Sequence, residues 1–387
     1  GKIADSTTVM DFDPEEKKRK TSVSTSVYAL ELDGHKLNII DAPGLFDFAG
    51  GVSEALAAAD SAIIAVSGKS GLTSGAKQSF QKARALKKAV AFFVGKLDST
   101  HAHFYRVISS LVANYGAVIC PVVIPYIEND EVKSYIDLIT NKAYACDGLE
   151  LKELRMPVSN EADEMRSMLL EAIATADDAL MEKYFGGEEF TPEEIIEGLK
   201  KGVAAGEICP VFAGVQQTGA AVPLMVDTLL QILPSAADAV CRFEDGEEKA
   251  FDENGENALF VFKTIADPFV GKLSYFRVLS GKIKNDTRLI NNRTGAEERL
   301  SKIMWLKGGK QEDAGEIIAG DIGSVSKLGN VLTGDTLSAS GRIAAAAVDF
   351  PAPTISVAVY PKAKGDEEKI TQAFSRLCEE DPTIKVY

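Results

Sequence analysis

Continuous apolar runs dominate the first half of the chain, and short alternating ones dominate the second. Residues 1–20 are polar and end in the charge run Glu15-Glu16-Lys17-Lys18-Arg19-Lys20. The strand-like runs at 26–32 and 36–41 flank Asp33-Gly34, a pair that tolerates the positive φ of a type I′ turn, so a hairpin is predicted there. Beyond it, a helix-like stretch at 52–59 leads to the apolar strand 61–66, and a helix over 74–88 leads to 89–94. A helix over 101–115 then leads to the strand 118–127. Fully apolar strands separated by helices predict a parallel sheet covered on both faces. Between about 128 and 206 the chain turns acidic and helical, with its longest periodic segment at 165–184, and this is expected to be an insertion. A strand at 209–213 and a helix at 221–233 complete the layer.

After about residue 240 the pattern becomes short strands closely spaced by turns, including Thr294-Gly295 and Gly308-Gly309. That spacing predicts a small antiparallel barrel to about 345. The final segment, 354–387, is expected to run strand, helix, strand start, the opening of a further domain. The expected organisation is therefore an α/β domain at 1–236 with its insertion at 128–206, a barrel at 237–350, and the start of an α+β domain at 351–387.

Composition narrows the class. At 387 residues, 45% hydrophobic and 26% charged, the chain can bury several cores without disulfides. The five cysteines, at 120, 146, 209, 241 and 378, are scattered without a C-x-x-C pair, which argues for reduced thiols and against a zinc site. No apolar run approaches the roughly 18 residues of a membrane span, so no membrane partner and a cytoplasmic location are expected. The chain starts at Gly1 without a methionine, a signal peptide or an Arg-rich transit segment. A net charge of −15 argues against nonspecific attraction to polyanions, although an acidic protein can still carry a local basic face.

The sharpest local feature is Asp41-Ala42-Pro43-Gly44 at the end of an apolar strand, where ligands gather in open α/β sheets. A carboxylate there can hold Mg²⁺ through water, and the glycine lets a backbone N–H approach a phosphate. Alone, the pattern is more often that of a plain turn. A second loop, Gly95-Lys96-Leu97-Asp98, ends the strand at 89–94, about fifty residues on and on the same sheet edge. The Asp98 carboxylate can accept two guanine N–H donors that adenine does not offer in that arrangement. By itself this too could be a surface Lys–Asp pair.

Together with longer blocks, these loops give the chain a resemblance to the translational GTPases, and to the elongation factor G family in particular. The matching stretches are 1–10, 38–48, 180–189, 204–214 (A-A-G-E-I-C-P-V-F-A-G), 262–281 (with K-T-I-A-D-P-F-V-G-K-L-S-Y-F-R-V-L-S), 333–337 and 356–386. The last contains Tyr360-Pro361-Lys362 and Glu379-Glu380-Asp381-Pro382-Thr383. The resemblance implies a P-loop-GTPase-like parallel sheet domain with a helical insertion, then an antiparallel β-barrel, then the start of an α+β domain. It implies GTP or GDP with Mg²⁺ as ligands and a monomer acting on the ribosome, both its RNA and its proteins, in translocation.

Residue by residue, Asp41, Pro43 and Gly44 match the family's D-x-P-G signature, and Lys96 and Asp98 its guanine-reading motif. Ser22 stands where the family places a Mg²⁺-binding Thr, so Ser22 and Asp41 are the expected metal residues. Three departures stand out. Leu45 replaces the His that positions the attacking water, which leaves the catalytic group unknown. Gly95 replaces the bracing Asn, and Val215-Gln216 replaces the base-contacting Ser-Ala. His35, His101 and His103 are expected on the hairpin and helix surfaces rather than as replacements for catalysis. Alternatives to a translocase are a degenerate, non-hydrolysing ribosome-binding module, a ribosomal-protection-type GTPase, and an α/β-plus-barrel scaffold with no nucleotide role.

The chain contains no G-x-x-x-x-G-K-[ST] loop, which in the family precedes the residues matching Gly1. That loop brings several charge-assisted hydrogen bonds of about 1.5–3 kcal/mol each, more than Asp41, Gly44 and Asp98 can offer together. Residues 1–387 alone are therefore predicted to bind GTP weakly or not at all. Calorimetric titration checks this, and low-micromolar affinity would refute it.

Overall fold

In the computed structural model, β1 (Ser26–Leu32) and β2 (His35–Asp41) pair antiparallel from Ser26↔Asp41 to Leu32↔His35. Asp33 and Gly34 between them take φ of 48° and 75°, the left-handed backbone expected of an Asp-Gly turn. The structure describes residues 1–267, 271–361, 363 and 365–387. Pro268, Phe269 and Val270 of the matched barrel stretch, and Lys362 of the matched tail, lie outside the described residues. Ahead of the hairpin, α1 (Pro14–Arg19) opens on a capping box: Asp13 accepts from Glu15 N, and Glu16 accepts from Asp13 N. The buried Glu16 also accepts from the N–H groups of Val23 and Ser24, at 3.0 and 3.2 Å, and so ties that segment to the helix. After β2, one turn of 3₁₀ helix leads into α2 (Ala49–Ala58).

One compact unit spans Asp60–Pro234. In it β3 (Ser61–Ser67), β4 (Ala89–Gly95) and β5 (Ile119–Glu128) alternate with α3 (Ser74–Ala85) and α4 (Phe104–Tyr115). The stretch expected to be helical from about 128 begins instead with three antiparallel strands. These are β6 (Glu131–Asp137), β7 (Lys142–Asp147) and β8 (Glu150–Leu154), and they widen the sheet from β5. Asn129, Asp130, Asn141 and Gly148 all have positive φ at the connecting turns. The acidic composition of this stretch masked those turn signals. The helices follow as α5 (Asn160–Ala176), α6 (Asp178–Phe185) and α7 (Pro192–Ala205). The periodic stretch at 165–184 breaks at Asp177, whose carboxylate accepts from the N–H groups of Ala179 and Leu180 and so restarts a helix.

Then β9 (Cys209–Ala213) inserts between β4 and β5, and α8 (Val222–Ile232) follows. The sheet order is β3-β4-β9-β5-β6-β7-β8, with the first four strands parallel. Every residue of β4 is buried, which is why that strand reads as a continuous apolar run.

The other compact unit joins Gly1–Ala59 to Ser235–Tyr387. Its main strands, Ala258–Asp267 and Gly271–Ser280, pair along their length with a bulge between Val261 and Lys263. The β1–β2 hairpin belongs to the same sheet, through Tyr28↔Lys307. One apolar cluster gathers Leu259, Val261, Phe276 and Val325, and another gathers Val27, Ala58, Phe260 and Phe262. The strand expected to open the 354–387 segment does not form among the described residues: without a partner strand to take their backbone bonds, Ile355 and Tyr360 stand 80% and 83% exposed. The expected helix follows as α9 (Glu367–Glu380).

Two barrel cations hold α2. Lys263 Nζ lies 3.4 Å from Glu54 Oε2, with both side chains only 6% exposed, and also donates to Ser24 Oγ. Arg277, buried, donates to the carbonyl of Ala58 at 2.8 Å, at the C-terminal end of the helix. Burial raises the Glu54 carboxyl, opposed by the charge and hydrogen bond of Lys263. Removing Lys263 alone strands a buried carboxylate, so Lys263→Met should cost about 3–5 kcal/mol. Lys263→Met with Glu54→Leu should recover most of it, and urea denaturation of the wild type, single and double variants measures both.

Candidate functional site

The Asp41–Gly44 loop leaves the end of β2 and is held from two sides. Pro43 is buried, and a Cβ on Gly51 of α2 would fall 2.9 Å from Pro43 Cδ and 2.7 Å from Thr25 Oγ1, so the helix approaches this closely because Gly51 has no side chain. Thr25 Oγ1 also donates to the Gly51 carbonyl at 2.9 Å. Gly44 is exposed, with open space around its Cβ position. Leu45 follows at 47% exposure. An exposed leucine there offers water no hydrogen bond.

Ser22 and Asp41 meet around a residue that the sequence did not single out. Ser22 Oγ donates to Asp11 Oδ1 at 2.8 Å, and Thr8 Oγ1 donates to Asp11 Oδ2 at 3.3 Å. Asp41 is pushed up to about 6 by burial first, and then by the charges of Asp11 and Glu16. Among the described residues, no three His, Cys, Asp or Glu side chains converge as a metal-ligating set. The donors present are nevertheless all oxygens, few in number and carrying excess negative charge, and they fit a hard cation that keeps most of its waters. Mg²⁺ is thus compatible with Ser22 and Asp41.

The Gly95–Asp98 loop sits in the other unit, at the end of β4, so the two loops end strands of different sheets and do not share one sheet edge as expected. Lys96 has φ of 56°, a left-handed conformation uncommon for a side-chain-bearing residue. Ser99 N donates to Lys96 O at 3.2 Å and closes the loop as a turn. Lys96 and Asp98 are exposed, while Leu97 is buried beneath them, so the charged groups face solvent on an apolar anchor. Beside this loop, Val215 is buried and Gln216 exposed, and Gln216 Oε1 accepts from Lys96 N at 3.1 Å. The structure therefore joins Gly95, Lys96, Val215 and Gln216 as one cluster of two loops, and Asp98 follows in the first of them with its side chain exposed. All three histidines are exposed: His35 lies on the hairpin as expected, while His101 and His103 precede α4 instead of lying on its surface. A separate cavity of about 460 Å³, bordered by Asp137, Tyr144, Glu193 and Leu224 among others, involves none of the sequence-predicted site residues.

Three family models match in succession. The Elongation factor Tu GTP binding domain matches residues 1–235, Elongation factor G domain 2 matches 256–340, and Elongation Factor G, domain III matches 350–387. A crystal structure of a protein from Thermus thermophilus superposes with a TM-score of 0.86 at 30% identity, over 100% of this chain and 57% of that one. The chain thus spans little more than half the length of this relative. A GTP-binding domain followed by matches to domains 2 and III of elongation factor G defines a translation factor of the GTPase class. The chain belongs to the elongation-factor-G-like translational GTPases.

The raised Asp41 carboxyl has a signed consequence. Its folded value of about 6 lies above the ordinary 3.8, so the folded state keeps a proton that the unfolded chain releases. Stability should fall as pH rises from about 4 to 6 and then level off. Asp41→Asn, in chelator-treated protein, should raise the melting temperature at pH 7.5 and leave it little changed at pH 4. Melting curves at both pH values check this, and equal shifts would refute it.

Proposed function

We propose that the chain is the nucleotide-switch and barrel part of a cytoplasmic, monomeric factor of the elongation factor G type that drives movement on the ribosome. In this reading residues 1–236 form the nucleotide domain, 237–350 the second domain and 351–387 the opening of the third. The observation that carries the proposal is the construction of the Gly95–Asp98 loop. Its backbone is held by hydrogen bonds, its apolar residue is buried, and the Asp98 side chain is left exposed to take the paired donors of guanine.

Bound Mg²⁺ would neutralise phosphate charge. Asp41 through water and the Ser22 hydroxyl would hold the ion, and the Gly44 N–H would face the terminal phosphate. Engaging Ser22 would draw its hydroxyl from Asp11, and α1 and the segment up to Thr25 are tied to Asp11 and Glu16. The nucleotide state would pass from there to α2, which the barrel grips through Glu54 and Ala58.

Leu45 supports a second reading, that of a non-hydrolysing factor that acts by occupying the ribosome. The exposed Leu45 side chain can neither accept a proton from water nor orient it. The test is titration of the full-length protein with GTP, GDP and ATP, followed by phosphate release with and without ribosomes. Guanine-selective binding with ribosome-stimulated release is expected for the GTPase. Selective binding without release, or no binding at all, supports the occupying factor, and equal binding of ATP and GTP would remove the GTPase reading.

A further inference from the structure

The space that a side chain at position 95 would need is already filled. A Cβ on Gly95 would lie 2.8 Å from Gln216 Oε1 and 3.0 Å from Phe93 Cε1. The same Phe93 ring lies 2.8 Å from a Cβ placed on Gly214, at the start of the neighbouring loop. Gly95 and Gly214 thus both lie against the Phe93 ring, and this brings the ends of β4 and β9 close together.

The loop after β9 is a firm platform. Gly214 N donates to Val94 O at 3.1 Å, Val215 N to Ala220 O at 3.0 Å, and Gly219 N to Val215 O at 2.9 Å. From that platform the Gln216 amide reaches across and accepts the Lys96 N–H. The donor is a backbone N–H, so the accepting atom is the amide oxygen. Lys96 is also the residue held at φ of 56°, a conformation that persists only where its surroundings hold it.

We propose that Gln216 is the positioning residue of the Gly95–Asp98 loop: its amide does from the opposite loop what a side chain at 95 cannot do, and Gly95 is small because Gln216 needs the room. The inference rests on the guanine-reading assignment of that loop. It explains two departures at once, since a bracing amide is missing at one position and a long amide is present at the other. The two departures form one exchange.

Amide exchange at Lys96 and the relative affinities for GDP and ADP, both measured on the full-length protein, test it. Gln216→Ala should speed exchange at Lys96 about fivefold and lower the preference for GDP by a similar factor, the worth of one net hydrogen bond. Gly95→Ala should do the same, because the new methyl displaces the flexible end of Gln216. The double variant should be no worse than either single one, since both remove the same contact. Gln216→Glu keeps an oxygen acceptor and should retain slow exchange at Lys96. The proposal falls if Gln216→Ala leaves exchange at Lys96 unchanged, or if the two single effects add in the double variant. A wild-type protein without preference for GDP would overturn the guanine reading instead, and the exchange pattern would still decide the brace.

Discussion

A buried positive charge needs an acceptor to be tolerated in the folded state, and the barrel places two buried cations, each with its acceptors, against α2. Lys263 is answered by Glu54 and Ser24, and Arg277 by the Ala58 carbonyl and, at 3.2 Å, that of Gly320. The position of α2 is therefore not free. Gly51 then brings Thr25 and Pro43 against the helix, and Pro43 sets the path of the loop from Asp41 to Gly44. The Arg277 guanidinium also stacks over the Phe251 ring at 4.2 Å, so the clamp is packed as well as bonded.

Around Asp11, Glu16 and Asp41 the electrostatics run the other way. Glu16 is fully employed by backbone N–H groups, while Asp41 is desolvated next to negative charge. A protein that needed only stability would not keep such a group, because burial beside like charge penalises its charged form. A site that receives a cation gains from it, since the ion relieves the same repulsion. Glu16 and Asp41 are thus in opposite situations although both are carboxylates in one small region: one is satisfied by N–H donors, the other is desolvated beside like charge.

Departures from a family motif carry different information depending on what surrounds them. Leu45 is exposed and offers no hydrogen bond, so it bears on the chemistry directly. Gly95 also departs, but its neighbourhood is occupied by Gln216 and Phe93, and the loop it belongs to remains held. A substitution at one position can therefore mean a lost function or a relocated one, and only the neighbouring side chains distinguish the two.

The sequence by itself determined the alternation of apolar strands and helices, the Asp-Gly hairpin and the barrel, because these follow from local periodicity and turn chemistry. The family matches agree with that order. The sequence put the Asp41–Gly44 and Gly95–Asp98 loops on one sheet edge, whereas β2 and β4 belong to different sheets. It missed β6, β7 and β8, where turn residues with positive φ outweighed an acidic composition, and it placed a strand at the opening of 354–387 that no neighbour completes. Only the tertiary structure decided that Asp11 links Ser22 to Asp41, that Lys263 answers Glu54 from 209 residues away, and that Gln216 reaches Lys96 across 120. Pattern along a chain encodes which face of an element is apolar. Which distant polar groups meet depends on how strands order themselves in a sheet, and no local spacing records that.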